Sequence, residues 1–214
     1  DENKVSSLLS ELGVDSEEQP PALLDLCRRL LNLTLLADVI AADAAIDPSS
    51  LTTETALWDA YRESLDTEGS GPSGTIPASW EDSPVDRCVC HARSSLRDRT
   101  TTFEIEERNP GDERLRSRGA IVKDWRRRYR FKHDQLQSYF YAWDAVCGDD
   151  SVEDVLEDGI DERVAADIFD WMFRLYLADV SRSTSFIRDG LGSDSDLGFY
   201  AKPVLAESAR DLGP

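Results

Sequence analysis

Nine of the chain's 24 basic residues fall in one stretch of 19, Arg114 to Lys132 (RLRSRGAIVKDWRRRYRFK), beside a single acid, Asp124. The other 195 residues hold 15 basic against 42 acidic side chains. Any fold must therefore pair this segment with the acidic surface around it or present it to solvent. Two aromatics, Trp125 and Tyr129, are interleaved with the arginines.

The formal net charge is −19, with 27 Asp against 16 Glu and 20 Arg against 4 Lys. Self-repulsion of that size opposes compaction in dilute buffer. Molar salt shortens the screening length to roughly 3 Å and removes much of the penalty. An Asp-rich, Lys-poor composition spread along the chain is expected of a halophile's cytoplasmic protein. Coding bias in a GC-rich genome also favours Arg over Lys. At 214 residues and 40 % hydrophobic content the chain is long enough for one full core or two small ones. No apolar run reaches the 18 or more residues that a membrane span needs.

Residues 4–12 read as a short helix ended by Gly13. From Ala22 to Ile46, apolar residues recur at nearly the helical period, and Asp47-Pro48 stops them. A second helix is expected over 50–65, capped by Thr52 or Thr53. Residues 66–84 hold three Gly and three Pro, the composition of a linker between parts 1–65 and 85–214. Residues 85–91 and 100–107 alternate with period two, and Asn109-Pro110-Gly111-Asp112 suits a type II turn. The expected fold is mainly α: a helical bundle-like core with a small β-hairpin element inserted around residues 85–110.

A long helix is expected from Ala120 to Cys147, with Val122, Trp125, Tyr129, Leu136, Phe140, Trp143 and Cys147 as its apolar stripe. Basic residues in its first half run against the helix dipole. Something other than helix stability must favour them there. Ser151 is expected to cap a short helix ended by Gly159, a last long helix covers 161–188, and a closing helix falls within 197–212, split by Pro203.

Arginine forks match phosphates, and aromatics between them stack on bases. Lys123, Arg126, Arg127 and Arg130 would take phosphates or carboxylates, and Trp125 and Tyr129 would pack or stack. The expected function is a non-enzymatic binding or assembly module that contacts nucleic acid or an acidic protein partner. Internal pairing with the acidic run 149–161 is the competing use of the same charges. Salt also weakens phosphate contacts steeply, so binding in molar salt must rely on stacking and shape.

Cys88-Val89-Cys90-His91 places two thiols on one face of the expected strand with His91 as a further ligand beside them, and His133 or Cys147 would complete a tetrahedral zinc site. The four cysteines, Cys27 being the other, contain no CxxC pair and are expected to be reduced thiols. Asp38 and Asp43 read as helix-surface acids. His133-Asp134 are adjacent on a helix and would not face each other. No glycine-rich phosphate loop, nucleophile elbow or HExxH occurs.

The tail GFYAKPVLAESARDL (Gly198 to Leu212), the loop GPSGTIP (Gly71 to Pro77) and the segment KHDQLQSYFYAW (Lys132 to Trp143) resemble pieces of the redox-enzyme maturation chaperones of the TorD type. The resemblance implies a helical protein that binds leader peptides of molybdenum enzymes, with the basic segment incidental. The order His133-Asp134 is inverted relative to that family, and no Pro precedes it.

Overall fold

The computed structural model describes residues 2–43, 45–66, 83–106, 108–158, 160–177, 180–191 and 202–206. The chain divides into two compact units, Asp1–Val85 and Asp86–Pro214. It is mainly helical with one small antiparallel hairpin, as the sequence predicts, but the hairpin lies at 121–131. Among the described residues, no helix is long and apolar enough to cross a membrane.

In the first unit, α1 (Glu2–Glu11) precedes α2 (Pro21–Leu26), α3 (Leu30–Ala42) and α4 (Glu54–Asp66). The expected single helix over 22–46 is broken at Cys27–Arg29. Arg29 is extended, and the carbonyl of Leu26 accepts from Arg29 N–H at 3.3 Å and from Asn32 Nδ2 at 3.2 Å. Leu33, Leu35, Leu36 and Val39 of α3 and Leu57, Trp58, Tyr61 and Leu65 of α4 are buried, and these two helices pack together. Thr53 Oγ1 accepts from Ala56 N–H at 3.1 Å and caps α4, as expected. Asp43 follows α3 and is exposed, and Asp38 lies half-exposed on that helix. The linker residues 67–82, which include GPSGTIP, lie outside the described residues.

The second unit runs through α5 (Pro84–Arg97), α6 (Pro110–Ser117), β1 (Ile121–Lys123), β2 (Tyr129–Phe131), α7 (Asp134–Gly148), α8 (Val152–Glu157), α9 (Glu162–Tyr176) and α10 (Val180–Leu191). Residues 85–91 are thus helix rather than strand. Val85, Cys88, Ala92 and Leu96 are all buried, and their three- and four-residue spacing is that of one helix face. Asn109-Pro110-Gly111-Asp112 is a helix start rather than a type II turn. Asn109 Oδ1 accepts from Asp112 N–H at 3.1 Å, and Pro110 occupies the first turn.

The expected helix over 120–147 is half hairpin, half helix. Gly119, at φ +70°, ends α6 in the left-handed conformation that glycine adopts freely. β1 and β2 then pair with Ile121 opposite Phe131 and Lys123 opposite Tyr129. Phe103 adds an isolated bridge, exchanging backbone hydrogen bonds of 2.8 and 2.9 Å with Tyr129. α7 begins only at Asp134, so an acid rather than the arginines occupies its first turn. The conflict with the helix dipole disappears with the helix that caused it.

α7 and α9 form the centre of this unit. An aromatic chain ties the hairpin to them. His91 stacks on Phe103 (4.2 Å between centroids), Phe103 meets Phe131 (5.3 Å), Phe131 meets Phe140 (6.2 Å), and Tyr139 meets Trp171 edge-on (5.2 Å). Ser151 and Asp154 form a capping box on α8. The expected helix over 161–188 is split between α9 and α10, and residues 202–206 add one turn that includes Pro203. Gly159 and most of the 197–212 tail lie outside the described residues.

Candidate nucleic-acid interface

Between β1 and β2 the chain reverses over Asp124-Trp125-Arg126-Arg127-Arg128. Asp124 N–H donates to Arg128 O at 2.8 Å, and Arg127 N–H donates to Asp124 O at 3.2 Å. Trp125, Arg126 and Arg127 are left as a three-residue loop. Loops of this length close with a left-handed last residue, usually glycine. Here that residue is Arg127, at φ +66°. A left-handed L residue costs about 1–2 kcal/mol relative to the right-handed region. Asp124 offsets part of this, its Oδ1 accepting from the N–H groups of both Arg126 and Arg128 at 2.8 Å. The one acid of the basic segment is therefore consumed in ordering the turn.

The side chains that result point outward. Trp125 is 84 % exposed, the most exposed large apolar residue described. Arg126, Arg127 and Arg128 are exposed, and the Arg126 guanidinium lies 4.5 Å from the Trp125 ring centroid. Arg128 Nη2 donates to Thr102 O at 3.0 Å and steadies the base of the loop. Lys123 is exposed with Nζ 5.4 Å from the Tyr129 ring. Tyr129 itself is buried, so it packs rather than stacks. Arg130 is exposed on β2, 3.9 Å from Asp134. The hairpin thus carries Trp125, Arg126, Arg127 and also Arg128 on its tip, with Lys123 beside them on the face of Tyr129 and Arg130 on the opposite face. The organising role of Asp124 was not legible in the sequence, where residues 120–147 read as one helix.

The acidic run 149–161 finds other partners. Arg93 of α5 donates to Asp144 and, at 3.0 Å, to Asp150; its Nη1 is 3.5 Å from Asp158. Arg97 is 3.6 Å from Asp158, and Arg182 of α10 binds Asp149. Tyr141 OH donates to Asp158 at 2.7 Å, and the Arg93 guanidinium lies over the Tyr141 ring. Burial, joined by that carboxylate, pushes the Tyr141 phenol well above its ordinary range. Among the described residues, Arg126 and Arg127 have no acidic partner within 4 Å.

The cysteine-histidine segment does not form a ligand set. On a helix, Cys88 and Cys90 point about 200° apart. Cys88 is buried and Cys90 exposed. His91 Nε2 instead meets Asp112 Oδ1 at 2.6 Å inside the unit. Cys147 is exposed near the end of α7, and His133 is the residue before α7. Among the described residues, no three His, Cys, Asp or Glu side chains converge as metal ligands would.

Asp112 has no exposed surface, yet it is the acceptor centre of the α5–α6 contact. It takes a two-pronged bond from Arg87 (Nε at 3.1 Å, Nη2 at 2.9 Å) and the N–H of Glu106 at 3.0 Å. Burial alone would push its carboxyl pKa up. The bonds from His91 and Arg87 outweigh burial and hold it at about 2. Such a cluster looks chemical, but its groups are saturated by one another and enclosed. It holds the segment that leads into the hairpin. Compared with known proteins, the chain matches no protein family and no curated sequence.

Proposed function

We propose that the protein is a non-enzymatic binding module whose hairpin tip, Trp125 with Arg126, Arg127 and Arg128, contacts nucleic acid in the cytoplasm of a halophile. The observation that carries this reading is the exposure of Trp125 among three exposed arginines, while Asp149, Asp150 and Asp158 of the acidic run are engaged by Arg182, Arg93 and Arg97. A left-handed arginine where glycine would be free of strain adds to it. The charge there comes at a cost in stability. The chain outside the basic segment, with 15 basic against 42 acidic side chains, repels polyanions and restricts them to this tip.

The double variant Arg126→Gln/Arg127→Gly tests the reading. Its affinity for a labelled single-stranded oligonucleotide falls. Its log–log salt slope becomes shallower by about 1.4, since each phosphate contact on a single strand contributes roughly 0.7. Its thermal stability does not fall, because glycine at position 127 relieves about 1–2 kcal/mol of strain, less about 0.5–1 for glycine's greater chain freedom. Unchanged affinity in the folded variant contradicts the proposal.

A second reading is a peptide-binding chaperone similar to the TorD type, a helical family: the helix at residues 84–97 in place of the expected strand suits it, and the hairpin at 121–131 does not. Under it, a pull-down from the native cells returns one oxidoreductase leader, equally with wild type and the tip variant.

A further inference from the structure

We infer that the tip takes an unpaired base on the open face of Trp125, so that its ligand is single-stranded nucleic acid rather than duplex. The inference rests on the nucleic-acid reading above. Arg126 covers one face of the indole at 4.5 Å, and the ring is still 84 % exposed, so the opposite face is open. The stack would read base, indole, guanidinium, with Arg126 and Arg127 beside it for the flanking phosphates. Asp124 has its Oδ1 bound by the two backbone N–H groups of the turn, and the three exposed arginines of the tip outweigh its single negative charge.

The hairpin is unsuited to a duplex. A β-ribbon that reads DNA lies in a major groove about 12 Å wide and presents a face of its strands. Here each strand has three residues, and Ile121, Tyr129 and Phe131 are buried, so only the loop and the outward Lys123 and Arg130 are available. Stacking also answers the salt problem. Phosphate contacts decay steeply with ionic strength, whereas the π-face of an indole does not. In a protein adapted to high salt, Trp125 carries the affinity that survives.

The test uses the full chain and three fluorescein-labelled probes of about 12 nucleotides, a length within the usual site size. They are an oligo-dT strand, an abasic strand with the same phosphates, and an oligo-dT·oligo-dA duplex. Anisotropy is read from about 0.2 to 3 M KCl to separate charge from stacking. Wild type binds oligo-dT about 5- to 100-fold more tightly than the abasic strand, the worth of one stacked base. Trp125→Ala abolishes that preference, and Trp125→Phe restores part of it. Trp125 is exposed, so circular dichroism should show both variants folded. Equal affinity for abasic and intact strands, or tighter binding of duplex, overturns the stacking inference and leaves the polyanion reading standing. No binding to any of the three, with polyglutamate bound instead, overturns both and assigns the tip to an acidic protein.

Discussion

Replacing Asp112 with asparagine is expected to destabilise the Asp86–Pro214 unit by about 3 kcal/mol, the penalty for removing one partner of a buried ion pair. The variant keeps the shape of the side chain and loses its charge. Arg87, 15 % exposed, and His91 then face an amide where a fully buried carboxylate had bound both. In urea, with a slope near 2 kcal/mol/M, the midpoint of that unit's transition moves down by roughly 1.5 M. The same residue sets an acid limit. Its folded pKa is about 2 against 3.8 for a free carboxyl. A depressed pKa contributes stability that is fully present above about pH 4 and is lost as pH falls through about 2. The amount is on the order of 2 kcal/mol. The wild-type advantage over Asp112→Asn should shrink across that window. An advantage that stays constant from pH 5 to about 2 contradicts this role for Asp112.

The second large effect is expected at Arg93. Arg93→Met keeps the aliphatic stem but leaves Asp144, Asp150 and Asp158 facing a neutral group. Those carboxylates are about one-quarter to one-third exposed, so water screens them in part. A loss of roughly 2 kcal/mol is expected in dilute buffer, the range for breaking a half-buried charge network. It should fall by about half in molar KCl, where the screening length is near 3 Å. Chemical unfolding at two salt concentrations checks both parts. A loss that does not change with salt would mean that packing against Tyr141, rather than charge, is what Arg93 supplies.

The sequence made the helical class legible because most of the apolar spacing is three and four, as in α3, α4 and α9. It concealed the hairpin for two physical reasons. Val122, Trp125, Tyr129, Leu136 and Phe140 happen to fall near one helical stripe, although Tyr129-Arg130-Phe131 already alternates buried, exposed, buried. The turn also lacks glycine. Its left-handed position is filled by Arg127, so the usual hairpin signal was absent. The reverse error occurred at residues 85–91, read as alternating although Asp86-Arg87 are polar and Cys88-Val89-Cys90 apolar in succession; the face that packs is Val85, Cys88, His91 and Ala92. The Asp112 cluster was not readable at all, since it joins residues 21 and 25 positions apart. Of the candidate interface, the charges and Trp125 were legible. Their geometry depended on Asp124 and on the aromatic chain through Phe103 and Phe131, both of which act through contacts rather than composition.

The most direct measurement is ultraviolet cross-linking of the wild-type protein to an oligonucleotide in molar KCl, with the linked peptide identified by mass spectrometry. The nucleotide is expected to be attached within residues 119–132, at Trp125 or its neighbours, with a yield that collapses in Trp125→Ala. Attachment elsewhere on the chain, with residues 119–132 recovered unmodified, would contradict the proposal.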